Sequence, residues 1–139
     1  MTSIDDLAAG EEYVGRVLRS STAAFTVGRQ QLLADAERLT PRLGALVKAS
    51  GAKGDVYGLI CNVTIEDDAF VRQLVAAGVE SEEIIEDQRQ KRQVPVVIEV
   101  RAVGYCIEDK VYQRLPPQPP RTLDPTRTCK AEEANRFTR

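Results

Sequence analysis

From Val94 to Ala102 the chain reads Val-Pro-Val-Val-Ile-Glu-Val-Arg-Ala, with Val94, Val96, Ile98, Val100 and Ala102 at every second position and Glu99 and Arg101 between them. An apolar period of two puts all five on one face of an extended strand, because successive side chains point to opposite sides of the pleat. A helix would scatter the same residues around its circumference. The pattern therefore demands a sheet with one buried face, and it recurs. In 56–65 Tyr57, Leu59, Cys61, Val63 and Ile65 share one side, with Gly58, Asn62 and Thr64 on the other, where Ile60 joins them. In 12–28 two shorter strands carry Tyr13, Gly15 and Val17, then Phe25 and Val27, around a Ser-Ser-Thr turn at 20–22. Residues 42–50 make a further strand closed by the Gly-Ala-Lys-Gly-Asp turn at 51–55. A Glu-Asp-Lys turn at 108–110 leads into a last strand at 111–115.

Three stretches switch to helical spacing. In 29–41 Leu32, Leu33, Ala36 and Leu39 form a stripe that Pro41 ends. In 67–78 Asp67 and Asp68 open a stripe of Phe70, Val71, Leu74 and Val75, and Gly78 permits a left-handed cap. In 81–92 Ser81 is an N-cap, acids lead and bases trail, and only Ile84 and Ile85 are strongly apolar, which predicts a peripheral helix. The expected fold is mainly β: a small six- to seven-stranded barrel, with α-helices at 67–92 inserted between its fourth and fifth strands. Ile98 and Leu59 are expected in its core. The barrel is expected to span residues 1–121, followed by a tail at 122–139 with a short helix around Cys129–Phe137.

Composition narrows function by exclusion. There is no histidine, which removes histidine general bases, Ser-His and Cys-His nucleophile pairs, and histidine metal ligands. The three cysteines, Cys61, Cys106 and Cys129, are odd in number and widely spaced, which fits neither a disulfide framework nor a zinc motif; Cys61 and Cys106 read as buried free thiols. Gly44, Gly51 and Gly54 do not have phosphate-loop spacing, and there is no GxGxxG. The acidic runs at 66–68 and 80–87 sit at helix starts and read as solvated faces rather than paired catalytic carboxylates. Arg89 to Arg92 completes a helix C-terminus. No catalytic residue, cofactor or metal site is expected. A net charge of −2 and seven aromatics without tryptophan argue against a barrel that clamps or stacks nucleic acid. No apolar run reaches the roughly 20 residues that span a bilayer, and the acidic start Met-Thr-Ser-Ile-Asp-Asp lacks signal-peptide character. No membrane association and a cytoplasmic location are expected.

Between Val111 and Pro125 five of fifteen residues are proline. Arg114 with Pro117 and Pro120 fits one orientation of an SH3-type ligand, and Pro116, Pro119 and Arg121 fit the other. A polyproline segment is also a stiff strap that needs no ladder partners and leaves a barrel in a fixed direction. The strap is the preferred reading.

Taken in order, Gly15-Arg16-Val17, Phe25-Thr26-Val27, Gly44 to Val47, Val56 to Ile60, Val97 to Gly104 and Arg114 to Pro120 resemble the HAS barrel, the HerA–ATP synthase barrel family, over most of residues 12–121. The resemblance implies a barrel that helps assemble a RecA-like or FtsK-like ATPase ring and docks its partners. This sequence reaches Arg139 without an ATPase core, and 121–139 replaces the family's glycine-containing exit. The expectation is a stand-alone, non-catalytic assembly or adaptor module. Its partner would be a HerA- or FtsK-type ATPase or a second copy of itself, with any nucleic acid engaged only indirectly. Arg114, Pro116, Pro117, Pro119, Pro120, Arg121 and Phe137 are the candidate contact residues. Two other readings compete: a nucleic-acid-binding small β-barrel, and a small barrel enzyme using carboxylates or Cys61.

Overall fold

The computed structural model describes residues 12–35 and 42–138. Seven strands form one antiparallel sheet: β1 (Tyr13–Ser20), β2 (Ala24–Leu32), β3 (Leu46–Ser50), β4 (Asp55–Ile65), β5 (Gln93–Ile107), β6 (Lys110–Tyr112) and β7 (Pro125–Thr128). The strand order β2-β1-β7-β3-β4-β5 closes on itself through a β2–β5 ladder, and β6 is an added strand on β5. The result is a closed six-stranded barrel plus one strand. Two helices, α1 (Ala69–Ala76) and α2 (Glu82–Lys91), lie between β4 and β5, and α3 (Ala131–Thr138) follows β7.

β5 organises the ring. Its first half pairs with β2 from Gln93 to Arg101, its other edge pairs with β4 from Val96 to Cys106, and its end pairs with β6. The alternation of Val94, Val96, Ile98, Val100 and Ala102 is buried as expected, none of them above 4% exposed. Valine supplies seven of the ten largest fully buried side chains (Val14, Val17, Val27, Val47, Val94, Val96 and Val100). Six strands enclose a narrow interior, and compact β-branched side chains fill it.

The helix expected at 29–41 is corrected over its described part. Arg29 to Leu32 continue β2, and Leu33–Asp35 make one 3-10 turn; 36–41 lie outside the described residues. Every residue from Ala24 to Leu32 has a partner on β5, so the ladder overrides the local helical spacing.

The expected face of β4 is also corrected. Ile60 is in the core at 2% exposed, whereas Leu59 is 39% exposed and Cys61 is exposed. Bulges between Tyr57 and Gly58 and between Ile60 and Asn62 shift the register against β5. The first leaves Val103 of β5 unpaired, and the second inserts Cys61 into β4; Val56, Gly58 and Ile60 therefore face inward before it, and Val63 packs on the core after it. Tyr57 is buried, but from outside, beneath α3.

The boundary expected at 121 is corrected too. β7, within the supposed tail, pairs with β1 on one side and β3 on the other and so completes the ring, with Thr126 fully buried inside it. Proline is tolerated as the first residue of this strand, and the four residues Pro-Thr-Arg-Thr carry no apolar alternation that would have announced it.

Candidate docking surfaces

The proline segment crosses the barrel as a strap. Pro116 and Pro120 are buried, while Pro117 and Pro119 are exposed. Leu115, at the start of the strap, is 54% exposed and does not pin it. The anchors are polar. The Ser20 hydroxyl donates to the Pro120 carbonyl at 2.5 Å, and the buried Asp124 carboxylate accepts from the Arg121 backbone N–H at 2.9 Å and pairs with its guanidinium at 3.3 Å. The backbone of β1 completes the fastening, through Val17 N–H to the Asp124 carbonyl and Leu123 N–H to the Val17 carbonyl. Arg16 also donates to the Leu123 carbonyl at 2.9 Å.

Arg114 is engaged within the chain. Its guanidinium lies over Tyr112 at 5.0 Å and Tyr105 at 5.9 Å, two rings stacked 4.7 Å apart, and its Nε donates to the Tyr105 hydroxyl. Phe137, expected as an anchor for a partner, is instead buried at 8% exposed. Its ring lies 5.0 Å from that of Tyr57 and fills the space that a side chain on Gly104 would take. Lys48 and Glu133, 2.6 Å apart, tie the same helix to β3, and Gln113 donates to the Phe137 carbonyl. α3 is thus a cover for the outer face of β3, β4 and β5. Of the seven sequence candidates, Arg114, Pro117, Pro119 and Arg121 present exposed surface, with Arg114 held by Tyr105 and Tyr112 and Arg121 by Asp124.

A groove of about 500 Å³ runs between the strap, the β3–β4 turn and the end of β5. Ala49, Val56, Ile107 and the prolines give it apolar walls, and Lys53, Asp55 and Cys106 reach it. Burial pushes the Asp55 carboxyl above its ordinary pKa, partly offset by Lys48. Burial likewise raises the Cys106 thiol and the Tyr57 phenol, so both stay protonated at neutral pH. A raised thiol is a poor nucleophile. Cys61 is exposed, correcting the buried reading, and its thiol donates weakly to the Glu99 carbonyl at 3.4 Å. Among the described residues, no group of three His, Cys, Asp or Glu side chains is placed to hold a metal ion. No helix among them is long and apolar enough to cross a membrane.

The α1–α2 excursion has a different character. Asp68 caps α1 by accepting from the Val71 N–H at 2.8 Å, and Arg92 stacks 3.8 Å over Phe70. Neither helix has a buried residue; Val75 is 76% exposed and Ile84 50%. A further hollow of about 340 Å³ lies outside the barrel beside the β1–β2 hairpin, flanked by Arg19 and Arg101. It was missed in the sequence because its residues come from four strands and share no motif. The paired strand register is the only signal that joins them.

No protein-family model matches the sequence, and no curated protein matches it.

Proposed function

We propose that this chain is a docking barrel of the HAS type, a non-catalytic assembly or adaptor module acting in the cytoplasm on a HerA- or FtsK-type motor ATPase or on a second copy of itself. The observation that carries the reading is the α1–α2 excursion. It leaves and re-enters the barrel between adjacent strands, buries none of its own residues, and presents Val75 and Ile84 to the outside. Only Val71 of the pair packs against the barrel core, which leaves exposed apolar side chains such as Val75 and Ile84 free for another surface. The ordered strap and the resemblance of strands β1 to β5 to the HAS barrel support the same assignment. α1 and α2 replace Phe137 as the expected contact, because Phe137 is already occupied.

The test is affinity capture from native lysate with the wild-type chain and with Val75→Asp and Ile84→Asp, alongside light scattering of the purified protein. Recovery of a HerA- or FtsK-type ATPase, or a concentration-dependent dimer, that both variants lose supports the reading. A chain that stays monomeric and captures no such ATPase overturns it.

A further inference from the structure

We infer that the hollow beside the β1–β2 hairpin is a carboxylate-recognition site for an acidic peptide segment of the docking partner. The inference deepens the docking reading and rests on it. The strand register sets the geometry. Arg19 on β1 is opposite Thr26 on β2, Thr26 is opposite Glu99 on β5, and Ala24 on β2 is opposite Arg101 on β5. Arg19 and Arg101 therefore stand two strand spacings apart and two residues out of step, roughly 12 Å between Cα atoms. Between them the floor is made of two small side chains, Ala24 and Thr26, and the long arginine side chains form walls around it.

Three polar groups there are uncommitted. Arg19 and Arg101 have no hydrogen-bond or ion-pair partner among the described residues, although Glu99 lines the same hollow. The Thr26 hydroxyl also has none, while Thr26 is only 8% exposed and lines the hollow. This hydroxyl opens into the hollow and is placed to donate to a ligand oxygen that arrives between the two guanidinium groups. The Glu99 carboxylate is engaged by the Asn62 side chain at 2.9 Å.

Charge selects the ligand class. Two arginines and one glutamate leave a net single positive charge. A monoanionic carboxylate neutralises it and can be gripped in the planar fork geometry of arginine. A phosphate dianion would meet the Glu99 charge. Leu59, 39% exposed, is the β4 neighbour of Arg101 and gives an apolar shoulder for the residue beside the acid. The occupant is therefore an acidic peptide with an apolar neighbour, rather than a nucleic acid.

The experiment uses a fluorescein-labelled peptide of alternating glutamate and leucine, its glutamine counterpart, and a labelled oligothymidylate, titrated into the full chain at low salt. Saturable binding of the glutamate peptide alone is expected. Arg19→Gln and Arg101→Gln should each weaken it about tenfold, the loss of one charged hydrogen bond. Lys110→Gln, on β6 away from both surfaces, should leave it unchanged. Bound peptide should also slow maleimide labelling of Cys61, which lines the hollow, in the wild-type protein. This second readout requires no variant to fold. Equal binding of the glutamine peptide, tighter binding of the oligonucleotide, indifference to both arginines, or unprotected Cys61 would overturn the inference. Capture of an ATPase undiminished by either arginine change would sink the hollow and keep the docking function. Arginine-dependent peptide binding with no partner captured would sink the function and keep the hollow.

Discussion

Ile98 on β5 and Leu59 on the adjacent β4 show how far one residue can mislead. Both were expected in the core, yet Ile98 is fully buried and Leu59 is 39% exposed. Ile98→Ala should cost about 2–5 kcal/mol, and Leu59→Ala much less than that; urea midpoints of the two variants check the difference. Thr126 offers the opposite case. Its side chain is fully buried and its hydroxyl has no hydrogen-bond partner among the described residues. Thr126→Val keeps the shape and removes the unpaired hydroxyl, so the midpoint should rise or hold steady; a marked fall would show that the hydroxyl is satisfied. Asp55 carries a pH signature. Its folded pKa is raised by burial, so the ionised form disfavours folding. That cost is complete above the raised value and disappears as pH falls through the unfolded value of about 3.9. Asp55→Asn should therefore raise the thermal midpoint at neutral pH, with an advantage that shrinks toward acid pH. A constant advantage across that range would remove ionisation as the cause.

Among the elements, α3 is short and marginal alone, since nucleation is unfavourable and eight residues give few turns. It is held by one ring, one half-buried ion pair and a few side-chain-to-carbonyl bonds. Gly104 makes the ring's seat, because a Cβ there would collide with the Phe137 ring and with the Tyr112 carbonyl. Gly104→Ala should expel Phe137 while the barrel ladders persist. The measurement is hydrogen exchange, with faster exchange expected across 131–138 and protection retained in β2 and β5. Unchanged protection in 131–138 would show that the ring has another seat. The sequence announced this helix but gave it the wrong employment. Phe137 is the lone aromatic of its segment, and a lone apolar anchor on a charged helix reads equally as bait for a partner or as a plug for a hole in the same chain.

For the molecule as a whole, closure decides stability. β7 joins β1 to β3, and its pairing with β1 spans more than a hundred residues, as in Tyr13 with Arg127. Truncation before Thr122 removes that strand, opens the ring, and leaves the facing edges of β1 and β3 unpaired. Truncation before Lys130 removes only the α3 cover. The first should abolish the cooperative unfolding transition, and the second should keep it at a lower midpoint; circular dichroism melts of the two proteins distinguish them. A folded first truncation would show that the six-stranded ring does not need β7.

What the amino-acid order determined by itself was the β character, the alternating inner face of β5, the positions of α1 and α2, and the proline strap. These follow from local rules: the period of the apolar residues, the end signals of helices, and the missing N–H of proline. The tertiary structure alone decided which face of β4 points inward, because the bulge at Cys61 switches the inner face from Val56, Gly58 and Ile60 to Val63, where period two assumes one face throughout. It alone made Arg29 to Leu32 a strand, through a ladder to residues more than sixty positions away. It alone found β7, whose four residues have little pattern of their own and gain a strand's identity from the two edges they close. The hollow at Arg19 and Arg101 belongs with these, since strand pairing, rather than proximity in sequence, brings two uncommitted cations to one floor.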